Sequence, residues 1–230
     1  LIVNISGTST GKMKILVVGN KSSQDEFKSK FGSKHSVRFK TSREVSAKEI
    51  SGVELIIDFE TDTDSARASL YGTQPETPLL INSVFTTVRQ LVHRLEWPNP
   101  VIGFNGLPGF FDRTKLEIAT PCGNELIESV FSRLGTDYAL VKDRVGMVTP
   151  RIICMIINEA FYTVQEGIAT ESDIDLAMKL GTNYPSGPFE MVQSIGLNNI
   201  YQLLEALHHE TTDKRYLVCP LLKSRYLQQP

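Results

Sequence analysis

"INEAFYTVQEGIATESDIDLAMKLGTNYPSGPFEMVQSIGL", residues 157–197, carries the signals that decide the fold. Apolar residues recur at helical spacing until Gly167, which reads as a helix stop. Thr170 and Asp173 then form a capping-box pattern that opens "TESDIDLAMKLG", and Gly181 closes it. The next turn, Tyr184-Pro185-Ser186-Gly187-Pro188, reads as a structural link between helices and leads into "FEMVQSIG". Working outward, "PRIICMIINEAFYTVQEG" (150–167) is dense in apolar positions and has Pro150 in its first turn, so it predicts a helix buried on more than one side. "LNNIYQLLEALHHET" (197–211) continues the same period. From Thr149 onward the pattern is all-helical.

Toward the N-terminus the period changes. "KILVVG" (14–19), "SVRFKT" (36–41), "VELIIDF" (53–59), "PLLINSV" (78–84) and "VIGF" (101–104) are apolar runs of strand length. Such runs suit a parallel sheet covered on both faces. Helix-period stretches separate them, and "KLEIA" (115–119), "NELIESVFSRLG" (124–135) and "DYALVKD" (137–143) follow. Strand and helix in alternation predict an α/β domain, a shortened Rossmann-like doubly wound sheet, followed by an all-α C-terminal domain. The expected divisions are a leader or vector remnant at 1–12, a Rossmann-like domain at 13–143 and a helical domain at 144–230. The leader's "GTSTGK" (7–12) is one residue short of a phosphate-loop motif and precedes a strand instead of following one.

Composition narrows the function. The chain has 230 residues, 41% hydrophobic and 22% charged, with a formal charge of −2. A pI near 6.1 gives no electrostatic case for nucleic acid or an anionic membrane surface. No apolar run is long enough to span a bilayer. Cys122, Cys154 and Cys219 are odd in number and lack metal-ligand spacing, which points to reduced thiols and a cytoplasmic protein without a metal site. His208 and His209 are adjacent on a helix and diverge by about 100°, a poor metal pair.

A dinucleotide-binding sheet needs a G-x-G-x-x-G turn after its first strand. Here "GNKSSQ" (19–24) keeps Gly19 alone and places Lys21 and Gln24 at the other two glycine positions. At the end of the second strand Thr41, Ser42 and Arg43 stand where an acid would take the ribose hydroxyls. That pattern leaves NADP open beside NAD, and an exposed helix-start arginine open beside both.

Residues 157–197, with Asp173 to Glu190 as the distinctive part and "CPLLK" (219–223) at the end, resemble the C-terminal domain of the 3-hydroxyacyl-CoA dehydrogenases. The resemblance extends at lower similarity over the α/β half. It implies a Rossmann domain, a helical domain that forms a homodimer, an acyl-CoA ligand, and hydride transfer between NAD and the 3-hydroxyl. Carried over residue by residue, it puts Asn105 where the family has its catalytic histidine and matches Glu117 to the glutamate that orients it. The substrate-contacting serine falls on Val84 or Phe85, next to Ser83. Asp62 and Arg67 match a glutamate and a lysine near the nicotinamide. Pro150 replaces an asparagine, and the short link from Ser42 to Gly52 replaces a helical hairpin that helps hold CoA.

Alcohol oxidation needs a group that accepts the hydroxyl proton. Asn105 can donate a hydrogen bond to a carbonyl but cannot titrate. Glu117 would act in its place if buried enough, or else is an inherited carboxylate paired with Lys115 or Arg113, which is the favoured reading. Two functions therefore stand: an NAD(P)-linked oxidoreductase acting at the 3-position of a short acyl-CoA with impaired or altered chemistry, or an inactive relative serving as a dimeric binding or partner protein. Glu117 and Asn105 are the candidate catalytic residues. Gly19, Asp62, Arg67 and Ser83 are the candidate cofactor contacts.

Overall fold

A computed structural model describes residues 2–3, 11–61 and 69–229 of the chain. It forms two units, Leu1–Met147 and Val148–Pro230. Asp62 and Arg67 lie outside the described residues.

The first unit is built on a sheet whose strands are β1 (Ile2–Val3), β2 (Lys14–Val18), β3 (Ser36–Lys40), β4 (Leu55–Asp58), β5 (Leu79–Asn82), β6 (Val101–Phe104), β7 (Lys115–Ala119) and β8 (Asp137–Leu140). Their spatial order is β1-β8-β7-β6-β5-β4-β2-β3. From β3 to β6 neighbouring strands are parallel. The chain leaves β2 for β3 on one side and then returns to place β4 on the other. A topological switch point thus lies at the carboxyl end of β2, where open α/β sheets bind ligands.

Helices cover both faces, which explains the uninterrupted apolar strands. On one face Phe27 and Phe31 of α1 (Lys21–Phe31) join Ile15, Val17, Leu55, Ile57, Leu80, Ile102 and Phe104. The other face packs Ile50 of the short α2 (Ala47–Ile50) and Val88 and Leu91 of α3 (Val88–Leu95) on Leu16, Val18, Ile56 and Ile81. α4 (Asn124–Leu134) adds Ile127, Val130, Phe131 and Leu134 to the first face. Two features depart from strict alternation. β7 follows β6 through a loop and runs antiparallel to it, and Ile2–Val3, within the segment expected to be a leader or vector remnant, pairs antiparallel with β8.

The second unit is helical: α5 (Thr149–Gln165), α6 (Glu171–Thr182), α7 (Pro188–Ile195), α8 (Leu197–Thr211) and α9 (Pro220–Leu227). The Thr170–Asp173 capping box forms as the sequence predicts. The most distinctive stretch has a structural cause. Asp175 of α6 accepts the backbone N–H groups of Phe189 (2.8 Å) and Glu190 (3.2 Å), so it caps the start of α7. A Cβ at residue 187 would lie 2.3 Å from the Asp175 carboxyl carbon, so only glycine fits beneath it. Asn158, buried in α5, donates to Leu217 O and accepts from Cys219 N, which fixes the approach to α9.

Candidate functional site

The carboxyl ends of β4, β5 and β6 bring Asp58, Ser83 and Asn105 to the same face of the sheet, and β7 adds Glu117. Gly103 pairs with Ala119 and Phe104 with Ile118, and Asn105 N donates to Glu117 O at 3.0 Å. Residues opposed in this way present their side chains on one face. Ser83 N donates to Phe104 O, which puts Ser83 beside Asn105. Three of the sequence-derived candidates are therefore gathered on one strand edge.

The side chains of Asn105 and Glu117 are engaged elsewhere, and the buried Ser83 hydroxyl has no hydrogen-bond partner among the described residues. Asn105 is buried, and its Oδ1 accepts the N–H of Leu107 at 3.2 Å, closing the turn that follows β6. Gly106 is required there, because a Cβ would meet the Asn82 carboxamide at 2.7 Å while Asn82 itself accepts Gly106 N. Ser83 is 1% exposed, and its hydroxyl packs over Gly103, where a Cβ would lie 2.1 Å from it. Glu117 is half-buried. Burial lowers the pKa of Arg113, and the charges of Asp112 and Glu117 oppose that shift, so the carboxylate of Glu117 lies within electrostatic reach of a guanidinium. The loop from Gly106 to Arg113 is tied to α1 by Glu26, which accepts Gly109 N at 3.0 Å and Phe111 N at 3.2 Å. Burial raises the Glu26 pKa and these two bonds pull it back down.

At the switch point Gly19 keeps the role of a first glycine. A Cβ there would lie 2.9 Å from Ser23 Cβ and 3.3 Å from Phe59 Cβ. The remainder of the turn closes on itself. Asn20 Oδ1 accepts Ser23 N at 3.1 Å and caps α1, and Gln24 Nε2 donates to Gly19 O at 2.9 Å. Lys21 pairs with Asp25 at 3.0 Å on the exposed side of the helix. These residues do not fit the pyrophosphate of NAD in the pose a G-x-G-x-x-G turn gives it. The capping donor is already satisfied, and side chains stand at two positions that need none.

Two further acids, Asp58 and Glu60, lie at this end of the sheet. Asp58 is fully buried, and its carboxylate accepts Glu60 N at 2.7 Å and the Tyr71 hydroxyl at 2.7 Å. Burial pushes its pKa up to about 6, against the hydrogen bonds that favour the charged form. Glu60 accepts the backbone N–H of Ser42 at 3.1 Å. At the end of β3 Thr41 is committed to Glu44, while Arg43 is exposed. Among the described residues no group of three His, Cys, Asp or Glu could hold a metal ion, and no helix is long and apolar enough to cross a membrane.

Comparison with known proteins adds four findings. Residues 146–229 match the family model described as 3-hydroxyacyl-CoA dehydrogenase, C-terminal domain. The chain is 32% identical over 180 residues to the 3-hydroxyadipyl-CoA dehydrogenase of Escherichia coli (strain K12), a match that takes in 77% of this chain and 37% of that protein. It is 29% identical over 185 residues to a probable 3-hydroxybutyryl-CoA dehydrogenase of Bacillus subtilis, covering 76% and 64% respectively. The chain thus spans less than two thirds of the length of either curated relative. In fold it is similar to the crystal structure of the (S)-3-hydroxybutyryl-CoA dehydrogenase of Ralstonia eutropha, with a TM-score of 0.70, 19% identity and 94% of each chain covered.

Proposed function

The chain belongs to the 3-hydroxyacyl-CoA dehydrogenase family, and on that premise we propose that it is a catalytically silent relative, a homodimer that binds a short acyl-CoA or a nucleotide and acts as a binding or partner protein. Asn105 carries this reading. It occupies the place the family resemblance implies for the base, it cannot titrate, and its carboxamide oxygen is committed to Leu107 N. The self-capped turn at Gly19 to Gln24 supports it, because hydride transfer needs a dinucleotide and two side chains stand where its usual pose needs glycine. The helical unit supports the homodimer. Leu176 and Leu180 lie one turn apart on α6 and are 54% and 78% exposed, with Ile168 just ahead of them at 69%.

A second reading rests on a different observation: Ser83, Asn105 and Glu117 still share one face and one edge. On that reading the chain is a NAD(P)-linked oxidoreductase working at the 3-position of a short acyl-CoA. Glu117 would receive the proton through water, and the rate would fall by a factor of about 10² to 10⁴ for want of an imidazole.

Calorimetric titration with acetoacetyl-CoA, followed by an assay with NADH and NADPH, separates the two. Saturable binding without turnover is the expected result. Failure to bind acetoacetyl-CoA would remove the acyl-CoA part of the proposal. Turnover that drops in Glu117→Gln would establish the oxidoreductase reading instead.

A further inference from the structure

We propose that Glu60 is a strap across the dinucleotide crevice, holding the switch point closed to a nicotinamide dinucleotide. Glu60 follows β4 and Ser42 follows β3, and these two strands flank β2 on opposite sides. At ordinary strand spacing the flanking strands are about 10 Å apart. The bond from Ser42 N to the Glu60 carboxylate therefore crosses the carboxyl end of β2, directly above Gly19. That is the crevice through which a ligand reaches the switch point of an open α/β sheet.

The strap is anchored at both ends. Its root is held by Glu60 N donating to the buried Asp58, and Asp58 is held in turn by the hydroxyl of the buried Tyr71. Asn99 Nδ2 donates to the carbonyls of Tyr71 (3.3 Å), Gln74 (2.7 Å) and Thr77 (3.0 Å), so the segment carrying Tyr71 is itself fixed. At the far end Ser42 begins the short helical turn Ser42–Glu44. The sheet ladder also runs to the end of β2 on both sides, through Gly19 N to Lys40 O and Phe59 N to Val18 O, which leaves the strap directly over ordered backbone.

Charge acts in the same direction as shape. Glu60 brings a carboxylate into the crevice, 3.1 Å from Ser42 N, and Glu44 holds a second one at Thr41 N at 2.7 Å. Like charges a few ångströms apart at a partly shielded surface weaken binding by a factor on the order of ten or more.

This inference rests on the silent-relative reading and deepens it by naming a contact that opposes the cofactor in addition to the turn at Gly19 to Gln24. The test is NADH fluorescence titration of the full chain, wild type against Glu60→Ser and Glu60→Gln, with the Trp97 emission of each variant confirming that it is folded. Glu60→Ser removes strap and charge and is expected to bind NADH about tenfold or more tightly than wild type. Glu60→Gln can still accept the Ser42 N–H but carries no charge, and is expected to recover part of that gain. NADH titrations that are the same for Glu60→Ser and wild type, or weaker in Glu60→Ser, would overturn the strap. The silent-relative reading fails separately, if wild type reduces acetoacetyl-CoA.

Discussion

Asp58→Asn should stabilise the protein above neutral pH and leave it almost unchanged in acid. Asp58 is fully buried, and its pKa rises from 3.8 to about 6 on folding, chiefly from desolvation. The native state therefore holds this proton across a window where the unfolded chain has released it. Stability from this group is fully present below about 3.8 and is lost as pH rises through about 6. About two units at about 1.4 kcal/mol each make the cost about 3 kcal/mol near pH 8. Asparagine reproduces the protonated form: its Oδ1 can accept Glu60 N, and its Nδ2 can donate to the Tyr71 hydroxyl oxygen. Urea unfolding followed by Trp97 is the assay. Trp97 is the chain's one tryptophan, and its ring centroid lies 6.0 Å from that of Tyr71, so it reports on this region. The midpoint of Asp58→Asn should exceed wild type by about 1 to 3 M urea near pH 8. Near pH 4 the two curves should nearly coincide. An equal shift at both values, or a loss of stability near pH 8, would show that the buried Asp58 charge is not what costs stability.

Three further outcomes follow from the geometry. Asp175→Ala removes the cap from two N–H groups of α7 and should cost about 1 to 2 kcal/mol, read as a lower thermal midpoint by circular dichroism. Leu180→Asp places a charge on the exposed α6 face and should convert a dimer into a monomer in sedimentation at micromolar concentration, and a variant that stays dimeric would place the interface elsewhere. His35 is buried with Nε2 against Leu134 O, and burial lowers its pKa below the ordinary 6.5. Its contribution is present above about 6.5 and is lost as pH falls, so His35→Gln should flatten the acid-side decline in stability measured by urea titration.

The fold was legible because its elements carry their own punctuation. Gly167, the Thr170–Asp173 box, Gly187-Pro188 and the apolar strand runs each impose a local structure that packing then preserves. The antiparallel β7 was less legible. "KLEIA" has the composition of any short strand, and its direction is set by the loop that Glu26 ties to α1, a contact 83 residues away in sequence for Gly109. The gathering of Ser83, Asn105 and Glu117 followed from strand register. What those side chains bond to did not, because Asn105 turning onto Leu107 N is a local choice among several that the sequence allows. Asp58 could have been noticed as the single acid in the apolar run "LIIDF" (55–59). Glu60 had no such signal, since its effect arises only when two strands flank a third.

The central claim is that the outline of a dehydrogenase site persists here without its proton-transferring group. Acetoacetyl-CoA reduction by the wild-type protein, followed as loss of NADH or NADPH absorbance across neutral pH, tests it most directly. Consumption no faster than without protein is expected for either cofactor. Steady turnover that depends on Glu117 would contradict it.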